Sequence, residues 1–143
     1  MRLYFDTAYV AKCYLNEPGG VKVRKLAVEA TGLYSSSWSV AELACALHRQ
    51  IRDRLISEEE AARQRRYFLK DVRNGVWVLL PVSDRLLFEL EARVGSLPAS
   101  LFLRAGDAIH LVTAQGAGFS EIWTNDRHLL AAAPFFGLTG RSV

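Results

Sequence analysis

The chain has 143 residues, half of them hydrophobic and under a quarter charged, with a formal net charge of +3 and a pI near 9.1. That composition excludes an intrinsically disordered chain and suffices for a core in one domain, residues 1–143, without staples. The mild basicity permits a polyanionic partner without requiring one, and no uninterrupted apolar stretch approaches a membrane span.

Leu3 to Phe5 reads as a buried strand, and Ala8 to Leu15 as a helix stopped by Asn16-Glu17-Pro18-Gly19-Gly20. Val21 to Ala30 is helical because Val23, Leu26, Ala27 and Ala30 share a face; Thr31-Gly32 closes it before a short strand, Leu33 to Ser36. Ser39 to Arg52 forms the next helix on Leu43, Ala46, Leu47 and Ile51. Ser57-Glu58-Glu59-Glu60 is a capping-box start for another, running to about Val72. Asn74-Gly75 turns the chain into the strand Val76-Trp77-Val78-Leu79-Leu80. Helices are expected over Ser83 to Val94, Asp107 to Gln115 and Arg127 to Ala132, with a fourth strand at Ile122-Trp123 and a stop at Pro134. Strands alternating with helices imply an α/β layered fold with a mainly parallel sheet. No internal repeat, low-complexity tract or inter-domain linker interrupts it.

Cys13 and Cys45 both fall in predicted helices among apolar neighbours. They are expected to be buried thiols rather than a disulfide, which points to a reducing compartment. The opening run reaches Asp6 without the basic leader and apolar core of a secretory signal, so the cytoplasm is the expected location.

Four acids stand where carboxylates do chemistry. Asp6 ends the first strand, Glu42 falls in the expected first turn of its helix, Asp107 opens another helix, and Asp126 follows the fourth strand. In parallel α/β sheets ligands gather beyond the carboxyl ends of the strands, and helices that follow strands begin on that side. All four can therefore face one crevice. Gathered carboxylates repel, so they call for a cation, and hard oxygen ligands suit Mg²⁺ or Mn²⁺, ions that drive phosphoryl transfer. Each acid also has a local use: Asp6 as an N-cap, Glu42 in a capping box with Ser39, Asp107 at a helix dipole, Asp126 as a turn or cap residue.

Their joint order resembles the PIN-domain nucleases, especially the VapC-type toxins of prokaryotic toxin–antitoxin pairs. The resemblance runs from Leu3 to about Leu138. It is carried by Asp6-Thr7, by Glu42-Leu43 after Ser35-Ser36-Ser37, by Leu103-Arg104-Ala105-Gly106-Asp107-Ala108-Ile109-His110, and by Thr124-Asn125-Asp126. It implies a three-layer fold with a short central sheet flanked by helices, and an endoribonuclease whose Asp6, Glu42, Asp107 and Asp126 surround one or two Mg²⁺ or Mn²⁺ ions. Thr7 and Thr124 would support that shell, and the products would carry a 5′-phosphate and a 3′-hydroxyl. A small cognate antitoxin and a homodimer built on the first two helices are implied with it. The rival readings are a non-catalytic interaction domain of the same fold, or a nuclease acting on another nucleic acid.

Arg104 could touch a phosphate or pair with an acid. The cations from Arg49 to Arg73 alternate with Asp53, Glu58, Glu59, Glu60 and Asp71, so that stretch is read as a solvated helical face, with phosphate contact as its functional alternative. His110, one turn past Asp107, is read as a buried, hydrogen-bonded structural histidine rather than a general acid. Cys45-x-x-His48 lacks the second pair a zinc site needs. His128 is expected to be exposed, and the three tryptophans are expected in the core or a subunit interface.

Overall fold

In the computed structural model, which describes residues 1–143, the opening run Leu3-Tyr4-Phe5 sends its side chains alternately to two separate cores. Leu3 and Phe5 pack with Val10, Val23, Leu47 and Phe68; Tyr4 packs with Leu111, Ile122, Leu129 and Phe136. This period-two alternation is that of a strand buried on both faces, as parallel strands are. The next strands repeat it, with Leu33 and Trp77 on the first side and Tyr34 and Leu80 on the second.

The elements follow in the order β1 (Arg2–Tyr4), α1 (Thr7–Tyr14), α2 (Gly20–Glu29), β2 (Gly32–Ser36), α3 (Trp38–Arg52) and α4 (Glu58–Arg73). Then come β3 (Trp77–Leu80), α5 (Asp84–Gly95), α6 (Ala105–Gly116), β4 (Glu121–Trp123), α7 (Arg127–Ala132), a 3₁₀ turn (Ala133–Phe136) and β5 (Thr139–Arg141). Strands β1, β2 and β3 lie side by side in that order, with Leu3 opposite Leu33 and Leu33 opposite Trp77. Strands β4 and β5 pair separately, and a single bridge from Phe5 to Trp123 joins the two sheets. Every pairing is parallel, so all strands end on one side. Helices cover both faces, which gives the three-layer α/β fold expected from the alternation.

The cap anticipated at Ser57 forms, and Ser83 supplies another. The Ser57 hydroxyl accepts from the Glu60 amide and that of Ser83 from the Leu86 amide. Gly75 takes the turn before β3 at φ +76°. Strand β5 was not anticipated: Thr139-Gly140-Arg141 carries no apolar alternation. Gly140 is required there because a Cβ would lie 2.7 Å from Leu130 Cδ2 and 3.1 Å from its Cα.

Three expectations are corrected. Cys13 is only partly buried and Cys45 is exposed, because the core face of α3 is Leu43 and Leu47, and position 45 points away from both. Helix α3 starts at Trp38, after Ser37, so Glu42 lies beyond its first turn and forms no capping box with Ser39. His128 is half-buried, its ring tilted over that of Phe102 with centroids 4.0 Å apart. Helix α1 turns Tyr9, Val10 and Ala11 into the core, whereas α2 leaves Val21 and Val28 in solvent. No helix is long and apolar enough to cross a membrane.

Candidate active site

Beyond the strand ends lies a crevice of about 640 Å³ whose walls include Asp6, Glu42, Asp107 and Asp126. Residues separated by up to 120 positions meet there because β1 and β4 are bridged neighbours, and α3 and α6 begin on the same side.

Asp6 is buried at the junction of β1 and α1. Its Oδ1 accepts from the Tyr9 amide (2.9 Å) and its Oδ2 from the Thr124 hydroxyl (2.5 Å). Burial pushes its pKa from 3.8 up to about 6, against the hydrogen bonds from Thr124 and Tyr9 and the nearby imidazole of His110. Thr124 in turn accepts from the Asp126 amide at 2.9 Å, so one threonine links two of the acids. Asp126 caps α7, its Oδ1 accepting from the amides of His128 and Leu129, and its Oδ2 lies 3.3 Å from Arg104 Nη2.

Asp107 sits in the first turn of α6, its Oδ2 3.4 Å from Arg104 Nε. Burial raises its pKa; Arg104 opposes that, and Asp126 adds to it. The guanidinium of Arg104 thus spans Asp107 and Asp126 while remaining largely solvent-exposed. Of the two uses expected for Arg104, the structure displays the pairing with acids.

Glu42 Oε1 accepts from the Thr7 hydroxyl at 2.8 Å and lies 2.9 Å from His110 Nε2. His110 Nδ1 lies 3.0 Å from the Tyr4 hydroxyl. The network assigns the proton: Nε2–H faces the carboxylate, and Nδ1 accepts from Tyr4. Burial would raise the pKa of Glu42, but His110 and Thr7 outweigh it and leave it lowered. His110 is buried and hydrogen-bonded, as expected, yet its partner is one of the four acids.

The donor set is oxygen only, which is the chemistry Mg²⁺ and Mn²⁺ take. Asp6 adds a second sign of fit: it is buried, and its oxygens are met by the Tyr9 amide and the Thr124 hydroxyl rather than by a Lys or Arg. As placed, no three His, Cys, Asp or Glu side chains converge closely enough to hold one ion. Arg104 stands between Asp107 and Asp126. A metal here would need Arg104 to swing out, which its exposure allows.

Residues 3–134 match the family model described as the PIN domain. The chain belongs to the PIN-domain family. Among solved structures, this PIN domain is similar to a chain in the crystal structure of VapBC2 from Rickettsia felis bound to a DNA fragment from their promoter. The TM-score is 0.65 at 16% identity, covering 100% of this chain and 99% of that one. It is also similar to a chain in the structure of FitAB bound to an IR36 DNA fragment, with a TM-score of 0.67 at 14% identity, covering 99% and 94%. Identities this low speak to the fold alone. No curated protein matches the sequence.

Two contributors to the crevice escaped the sequence reading. A Cβ on Gly106 would stand 3.0 Å from Glu42 Oε2 and 3.4 Å from Trp38 Nε1, so this glycine makes room for the carboxylate. Its place beside Asp107 was a signal, but nothing local says what its missing side chain avoids. Arg49 also borders the crevice, although its sequence neighbours made it look like part of one long basic face.

Proposed function

We propose that this PIN domain is a Mg²⁺- or Mn²⁺-dependent endoribonuclease of the VapC type, a toxin restrained by a small cognate antitoxin. The observation that carries the reading is the gathering of Asp6, Glu42, Asp107 and Asp126 around one crevice, with Asp6 buried and paired with no Lys or Arg. Asp6 and Asp107 are the first-choice direct ligands; Glu42 and Asp126 act directly or through water, since Mg²⁺ dehydrates reluctantly. Thr124 fixes Asp6, and Thr7 with His110 fixes Glu42. A divalent ion held there supplies a water acidified toward hydroxide and a counter-charge for the scissile phosphate. No side chain need act as nucleophile. Arg104, once released from Asp107 and Asp126, is placed to pair with the phosphate instead.

The resemblance of the motif set to VapC-type chains supports RNA as substrate, the antitoxin and a cytoplasmic setting. The two-component names of the structural neighbours agree with a protein partner. A homodimer would use the side chains that α2 leaves in solvent, Val21 and Val28. A purely binding role is disfavoured because an acid cluster without a counter-ion destabilises the fold that carries it.

The test is cleavage of single-stranded RNA in Mg²⁺ by wild type, Asp6→Asn and Asp107→Asn protein. Each substitution should cost more than the ~10–100-fold typical of a partner outside the metal's own ligands. Wild-type rates in both, with contaminating nuclease excluded, would sink the assignment. A parallel DNA substrate decides between the two nucleic acids.

A further inference from the structure

We infer that the crevice continues between α1 and α3 as the track of one nucleic-acid strand, with Arg49 as the anchor for a phosphate along it. This rests on the nuclease reading above. The basic stretch from Arg49 to Arg73, continuous in sequence, divides in space. Arg65, Arg66, Lys70 and Arg73 border a separate hollow on α4, and Arg52 and Arg63 pair with Asp53 and Glu60. Arg49 alone of these borders the acidic crevice, and it is exposed and makes no ion pair. The other cation at the acids, Arg104, is held by Asp107 and Asp126, and the nearby Glu17 is neutralised by Lys12 at 3.6 Å.

Spacing supplies the geometry. Glu42, Cys45, Ala46 and Arg49 recur at three- and four-residue intervals, which puts them along one face of α3. At 1.5 Å per residue, Arg49 lies about 10 Å along the axis from Glu42. The walls between are small side chains, Ala8 and Ala11 on α1 with Cys45 and Ala46 on α3. A strand whose scissile phosphate rests at the acids can lie over that smooth floor and bring a later phosphate to the guanidinium. An acidic peptide fits less well, since it would lay carboxylates beside four others. This use also accounts for Cys45, a thiol on an exposed wall where bulk would block the path.

The experiment combines steady-state cleavage of a single-stranded RNA by Arg49→Ala, Arg49→Lys and Arg65→Ala proteins with Mn²⁺ calorimetry. Anisotropy of the same labelled RNA is then measured on Asp107→Asn protein with and without Arg49→Ala. Arg49→Ala should raise KM about tenfold with kcat nearly unchanged, and flatten the salt dependence of RNA binding by about 0.7 in the log–log slope, the share of one phosphate contact on a single strand. Arg49→Lys should keep most of the affinity, Arg65→Ala should behave as wild type, and Mn²⁺ binding should be unaltered in all three. Unchanged KM and slope in a wild type that cleaves RNA would overturn the Arg49 assignment while leaving the nuclease reading intact. So would an equal loss in Arg65→Ala or a loss of Mn²⁺ binding in Arg49→Ala. A wild type that neither binds nor cuts nucleic acid takes both readings down together.

Discussion

The carboxylate of Asp6 divides its two oxygens, Oδ1 to the Tyr9 amide at the start of α1 and Oδ2 to Thr124 from the other end of the chain. Asp126 divides in the same way, with Oδ1 on the amides of α7 and Oδ2 toward Arg104. Capping and site placement, which look like alternatives in sequence, are simultaneous here because a carboxylate has more lone pairs than one cap consumes. Thr7 and Glu42 make a sharper case. Thr7→Val keeps the shape but removes the hydroxyl that holds Glu42 Oε1. Mn²⁺ affinity measured by calorimetry should fall by ~10–100-fold, while the fold loses only about 1 kcal/mol. Affinity equal to wild type would remove Thr7 from the supporting shell.

At the scale of elements, the entry of α6 decides how near α3 can come. Gly106 lies in its first turn with no Cβ to meet Glu42 and Trp38. Alanine there gains about 0.5–1 kcal/mol of helix preference but forces the carboxylate aside by a few tenths of an ångström. Gly106→Ala should therefore melt within a few degrees of wild type yet cleave RNA at least tenfold more slowly; an unchanged rate would show that Glu42 has slack. The helices and the first four strands were legible because their information is local: apolar spacing, Ser57 as a cap, Asn74-Gly75 as a turn. Strand β5 was not, since three residues around Gly140 become a strand only by pairing with β4. The four acids were singled out by local placement, Asp6 and Asp126 just past a strand and Asp107 at a helix entry, whereas Glu42 lies deeper in its helix than its neighbours suggested. The ties of Glu42 to Thr7 and His110 were not legible, because they cross 35 and 68 residues and leave no periodic trace. Arg49 was hidden differently, by neighbours in sequence that face elsewhere in space.

Across the whole molecule, the burial of Asp6 couples folding to pH and, on the proposed reading, to metal. Its pKa is about 6 in the fold and near its ordinary 3.8 when unfolded. Between those values the folded state keeps a proton that the unfolded chain has released. This contribution is therefore fully present below the lower value and is lost as pH rises through the upper one, by about 3 kcal/mol. Asp107, also raised, acts in the same sense, and Glu42, lowered, in the opposite one. The comparison of wild type with Asp6→Asn isolates the first term. In chelator, Asp6→Asn should gain stability over wild type as pH rises through that window. At pH 7, Mn²⁺ should raise the melting temperature of wild type and much less that of Asp6→Asn. Parallel melting curves for the two proteins at every pH, with and without Mn²⁺, would show that Asp6 is neither strained by its charge nor relieved by an ion.

The bond between Asp6 and Thr124 closes a loop of 118 positions, and its consequence concerns timing. On the ribosome Asp6 emerges 118 residues ahead of the threonine that sets its orientation. A nascent polypeptide paused before β4 has no Thr124 to orient Asp6. Synthesis must pass Asp126 before the set is complete, a delay that separates making the first acid from arming it.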